Sequence, residues 1–224
     1  METGKRGLDL LQAGDADGLR RLLEQEPGAA DTRDANGVSL LMQALYRGRR
    51  DLAELIAGKK MALDLFEATS LGRLEKMREL IAGGASVNEY SGDGFTALHF
   101  AGFFGQAEAA RLLIEAGAKV DCVARNAMAV MPLHSAASAR NLETVRLLLE
   151  HGAPANARQQ GGWVALHAAA QNGDGTMVEL LLRHGADPGL ANDGGKTAAM
   201  VARDKGHEEV ARLVEKRGGG NRKS

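Results

Sequence analysis

Three histidines recur in this 224-residue chain at nearly equal spacing: His99, His134 and His167, 35 and 33 residues apart. Imidazole is the commonest protein ligand for a transition metal and a frequent proton carrier, so a metal centre is the first chemistry to weigh. Each histidine follows a leucine (Leu98, Leu133, Leu166), which puts all three at one place in a repeated element. Equivalent places on packed helices lie about 8–10 Å apart, whereas each ligand of a zinc ion stands about 2 Å from it. The three cannot share an ion, and no metal or cofactor is expected. His151 and His184 fall near the ends of second helices, where a partly cationic ring suits the helix dipole. Cys122 follows Asp121 in a loop without an adjacent cation, the setting of a free thiol of ordinary reactivity. Gly194-Gly195-Lys196-Thr197 echoes a phosphate loop but lacks its upstream glycine; Thr197 reads instead as a helix N-cap. Glu208 and Glu209 are adjacent on a helix and diverge. No nucleophile elbow, H-E-x-x-H or C-x-x-C run occurs, so no catalytic residue is assigned and no enzyme is expected.

The elements that carry the histidines repeat. Stepping along the chain from them gives anchors at residues 8, 42, 66, 99, 134, 167 and 200. Two places after each anchor stand Leu10, Ala44, Ala68, Ala101, Ala136, Ala169 and Ala202, small residues that let helices approach closely. Six places after it stand Gly14, Gly48, Gly72, Gly105, Arg140, Gly173 and Gly206, helix-ending positions with Arg140 the exception. Fourteen places after it every residue is apolar: Leu22, Ile56, Leu80, Leu113, Leu148, Leu181 and Val214. So are those three places earlier, which marks the buried face of a second helix. Each unit reads as helix, Gly turn, helix, loop. The second and third anchors are only 24 residues apart. That spacing predicts a short connection through Lys59-Lys60-Met61 and a notch in the row of loops.

On Thr96-Ala97-Leu98-His99, Met131-Pro132-Leu133-His134, Asp93-Gly94-Phe95-Thr96 and Gly185-Ala186-Asp187-Pro188, the chain resembles the ankyrin repeat family. The resemblance runs from about Gly4 to Arg217, stronger in the last four units than in the first three. It implies an all-α solenoid of about seven units over residues 4–217; the residues after it, 218–224, read as a flexible basic tail. It also implies that His99, His134 and His167 hydrogen-bond loop backbone between units. In eukaryotic ankyrin proteins an asparagine placed like Asn88 or Asn156 can be hydroxylated; a plain turn-stabilising role is expected here.

Family resemblance also places a partner groove on the hairpin tips and the outward face of each first helix. Six of the eight aromatics occupy those offsets: Tyr46, Tyr90, Phe95, Phe103, Phe104 and Trp163. Phe66 and Phe100 take core offsets. Arg125, Met128, Val130 and Arg158 would join the aromatics, with Gln159, Gln160 and Gln171 as a polar rim. Aromatic residues, Met and Arg together are the composition of an interface core. The expected function is a non-catalytic protein–protein interaction module that binds a protein partner through a concave groove. A dedicated inhibitor or immunity-type partner of one enzyme is the alternative, and an enzyme with an unrecognised site is the less favoured one.

Composition sets the outer bounds. Lys plus Arg number 28 and Asp plus Glu 29, so there is no global basic footprint for nucleic acid. Only the tail could supply one. One cysteine makes no intrachain disulfide. No apolar run approaches the roughly 18 residues of a membrane span. A monomeric, cytoplasmic protein without a membrane partner is expected.

Overall fold

The computed structural model describes residues 2–219. Among them fourteen α-helices pair through short turns: α1 (Glu2–Gln12) with α2 (Ala16–Gln25), α3 (Leu40–Tyr46) with α4 (Arg50–Ala57), α5 (Leu65–Leu71) with α6 (Leu74–Ala82), α7 (Ala97–Phe103) with α8 (Ala107–Glu115), α9 (Pro132–Ser138) with α10 (Leu142–Glu150), α11 (Ala165–Gln171) with α12 (Gly175–Arg183), and α13 (Ala198–Asp204) with α14 (Glu208–Gly219). The described residues contain isolated β-bridges but no longer strand. First helices stack on first helices and second on second, so each pair buries its apolar face against its neighbours. The anchor columns form that core. Ala44, Ala68, Ala101, Ala136, Ala169 and Ala202 are fully buried, as are Ile56, Leu113, Leu148 and Leu181. Burial of each such Leu or Ile contributes about 1.5–3 kcal/mol. Two apolar clusters result, one of α1–α5 with Phe100 of α7 and one of α5–α14, bridged by Leu63 and Phe66.

Caps start the helices as the residue types require. Ser39 Oγ accepts from Met42 N, Asp64 Oδ1 from Glu67 N and Thr197 Oγ1 from Met200 N. The turns between paired helices use left-handed glycines, such as Gly105 at φ 70°. Arg140 adopts the same conformation, at φ 64°. It carries there the strain of a side chain in a region glycine favours. The basic tail expected over 218–224 begins inside α14, and its residues from 220 on lie outside the described residues.

The short link between α4 and α5 exists, but the expected notch does not. The cap of α5 stands one residue nearer its turn glycine than the cap of α7 does (Asp64 to Gly72 against Thr96 to Gly105), so Glu67 rather than Phe66 stands where α7 has His99. Its carboxylate does what the histidines do elsewhere: Oε2 accepts from Asp64 N at 3.1 Å. Lys60 turns inward from the link, its side chain only 3% exposed. Its ammonium lies 3.2 Å from Asp31 Oδ1 and 3.3 Å from Glu67 Oε1, the latter an ion pair without hydrogen-bond alignment. Met61, the next residue, is 95% exposed. With one hairpin missing, the hairpin before α3 closes directly on the hairpin before α7. Gly92 abuts Asn36 and Gly37 so tightly that a methyl group on it would lie 2.0 Å from Asn36 O. The later hairpins continue the row through backbone bonds: Arg125 N to Gly94 O, Gln160 N to Met128 O and Asp193 N to Gly161 O, at 2.8–3.0 Å.

Candidate partner-binding groove

The histidines are the staples between first helices and this hairpin row. His99 Nδ1 accepts from Thr96 N, the cap of its own helix, and Nε2 donates to Val130 O in the next hairpin at 3.0 Å. His134 repeats the pattern with Met131 N and Ala157 O, and His167 with Val164 N and Lys196 O. One nitrogen accepts and the other donates, which is the neutral ring. Burial is the main cause that lowers all three below the ordinary imidazole value, His99 to about 4. The described residues contain no cluster of three or more His, Cys, Asp or Glu able to hold a metal ion. Asn88 and Asn156 are likewise bound between units, Asn88 to Gly117 O and Lys119 N, Asn156 to Gly185 O and Asp187 N.

Closure of the hairpin row brings Tyr46, from α3, onto the aromatics of α7. Its hydroxyl donates to Asp93 Oδ2 at 2.5 Å, and its ring centre lies 6.3 Å from Phe104 and 6.4 Å from Phe100. Burial, then the bond to Asp93, raises this phenol well above its usual pKa, so it stays a donor. Phe103 stands edge-on to Phe104 at 5.0 Å, and Phe95 contacts Phe100 at 5.7 Å. Between these rings and the next hairpin lies a cavity of about 430 Å³. Tyr46, Phe95, Phe103, Met128 and Val130 line it, together with Asp93 and Gln159. Phe103 and Met128 are exposed, at 49% and 47%, although large and apolar. A second cavity of about 310 Å³ adjoins it, sharing Ser138 and Gln159 and lined by Gln160, Trp163 and Gln171.

Nine of the thirteen residues expected to form the groove therefore line these two cavities. Phe104 lies beneath, packed against Tyr46 and Phe103. Tyr90, Arg125 and Arg158 do not line them. The Arg125 guanidinium sits 4.0 Å over the Tyr90 ring, whose hydroxyl donates to Val123 O. Arg158 donates to Ala191 O at 2.7 Å and pairs with Asp193, which ties it to the following hairpin. Sequence reasoning missed Asp93 as a lining residue; its register in the Asp93-Gly94 tip was visible, but Tyr46 as its partner was not. It also missed Ala129, held at φ 49° where the matching hairpin positions are Gly37, Gly94 and Gly195. Ala129 lies between Met128 and Val130, so the strain falls at the cavity wall.

The sequence profile of ankyrin repeats in three copies matches residues 65–159 and 133–223, more than half of the chain. The chain belongs to the ankyrin repeat family, whose repeats are in general protein–protein interaction modules. It is 35% identical over 99 residues to palmitoyltransferase Hip14 of Drosophila melanogaster, 44% of this chain and 15% of that protein. It is 36% identical over 141 residues to human neurogenic locus notch homolog protein 4, 62% of this chain and 6% of that protein. It is 38% identical over 79 residues to human BCL-6 corepressor-like protein 1, 35% of this chain and 4% of that protein. The matches thus span less than a sixth of each relative. No described helix is long and apolar enough to cross a membrane.

Proposed function

We propose that this chain is a non-catalytic interaction module that binds a protein partner in the groove between its hairpin tips and first helices. The observation that carries the reading is the pair of adjoining cavities walled by Tyr46, Phe95, Phe103, Met128 and Trp163. Exposed aromatics and Met gathered around a concavity are the usual anchors of a protein interface. The groove spans α3 to α11 within one repeat domain over residues 4–217. Its wall is held by buried histidine staples, which favours docking on a preformed surface. The protein acts as a monomer in the cytoplasm, without cofactor, membrane or nucleic acid. Phe103→Ala with Trp163→Ala weakens partner binding by about 2 kcal/mol or more if these rings are hot spots. The test compares what a tagged parent and this folded double variant retain from source-cell lysate, then measures affinity for the purified partner. Equal retention and equal affinity would remove the reading.

A further inference from the structure

The chemistry of the groove selects its occupant. Asp93 is the one carboxylate that lines the larger cavity. Both of its oxygens are held, Oδ2 by the Tyr46 hydroxyl and Oδ1 by Ser91 Oγ, each at 2.5 Å. These bonds orient the group without neutralising it, and among the described residues no Lys, Arg or His pairs with it within 4.0 Å. The arginines of the neighbouring hairpins are turned to other tasks, Arg125 over Tyr90 and Arg158 onto Asp193. His99 and His134 also line the cavity, but their nitrogens are engaged with backbone and their rings are neutral. An uncompensated carboxylate on an apolar wall attracts a cation and repels an anion more strongly than it would in open water.

A second observation lies at the junction of the two cavities. Gln159 Oε1 is buried and has no hydrogen-bond donor. A buried amide oxygen without a donor is costly, and native structures leave few. Gln159 lines both cavities, so a turn of its side chain towards a segment passing between them would bring this oxygen to a donor on that segment.

Building on the groove reading above, we infer that the bound element is an extended segment of a protein partner in which a large apolar side chain stands next to a lysine or arginine. The apolar group fills the cavity beside Phe103, the cation meets Asp93, and the Gln159 side chain turns so that its Oε1 accepts a backbone N–H of the segment. A phosphate-rich polymer does not fit, because Asp93 would repel it.

The test is selection of short random peptides on the immobilised full chain, followed by affinity measurement on the recovered peptides as synthetic fluorescent probes. The expected peptides place Lys or Arg beside Leu, Met, Phe or Trp. Asp93→Asn, which keeps an acceptor for Tyr46, weakens them about tenfold and removes most of their salt dependence. Asp93→Lys accepts the same peptides only after their Lys is changed to Glu. Gln159→Leu weakens the peptides while raising the thermal stability of the free chain, an opposition that a merely structural role would not produce. Peptides that need Phe103 but ignore Asp93 and Gln159 would overturn this inference and leave the groove reading standing. Peptides indifferent to Phe103→Ala and Trp163→Ala would overturn both. Recovery of no peptide would overturn the inference, since a groove for a short segment must hold one.

Discussion

Mild acid should loosen this fold. His99 is neutral when folded, with a pKa lowered to about 4, because its ring is buried and its Nε2–H is committed to Val130 O. The unfolded chain returns it to the ordinary value of about 6.5. Between those values the unfolded state binds the extra proton, so the stability is fully present above about pH 6.5 and is lost as pH falls towards 4. Integrated from pH 7 to pH 5, this one ring accounts for a loss of about 2 kcal/mol. His134 and His167 are lowered by burial too and add to it in the same direction. The assay is urea unfolding at pH 7 and pH 5, on the parent and on His99→Gln. The parent should lose about 2 kcal/mol or more, and His99→Gln should lose distinctly less, though it starts less stable. A parent as stable at pH 5 as at pH 7, or a variant with the parent's full slope, would refute the assignment of a neutral stapling histidine.

The short link gives a second expectation. Lys60→Met leaves the buried Glu67 carboxylate without its close cation and should cost about 3–5 kcal/mol by chemical denaturation. Lys60→Met with Glu67→Gln should recover most of that, because Gln still accepts from Asp64 N; no recovery would mean that the pairing is incidental. Gly92→Val should destabilise the chain by about 2 kcal/mol or more and expose Tyr46 further than its present 38%, since its side chain must push into Asn36 O. A neutral effect would show that the two hairpins do not touch. Relief of strain at Arg140→Gly or Ala129→Gly should each raise stability by about 1 kcal/mol, read as a higher midpoint. A lower midpoint would show that the side chain contributes more than its backbone strain removes.

The repeat was legible because its physics is local and periodic. Ala44 through Ala202 and the Leu column recur at fixed offsets, and all but the partly buried Leu80 are buried in the core between units. Arg140 stood out for the same reason and does adopt the glycine conformation. The staple role of His99, His134 and His167 came with the family resemblance and holds atom by atom. What stayed hidden depends on contacts between elements that are not sequence neighbours. A missing hairpin reads as a gap along the chain, yet the folded row closes across it and sets Tyr46 against Asp93, 47 residues away. The side to which Arg125 and Arg158 turn was equally hidden, because a hairpin tip offers a long cation two faces and only the neighbouring hairpin decides between them. Lys60 looked like a loop cation; its burial follows from Glu67 taking a histidine's place, one residue out of the anchor register.

Trp163 is the chain's single tryptophan and lines the smaller cavity, so its emission reports directly on the groove. The decisive measurement titrates a tryptophan-free binding peptide or partner into the parent and into Phe103→Ala while following that emission. The account predicts a saturable blue shift in the parent as water leaves the indole, and binding weaker by about 2 kcal/mol or more in the variant. Tight binding that leaves Trp163 emission unchanged, with the same affinity in Phe103→Ala, would place the interface elsewhere and contradict the account.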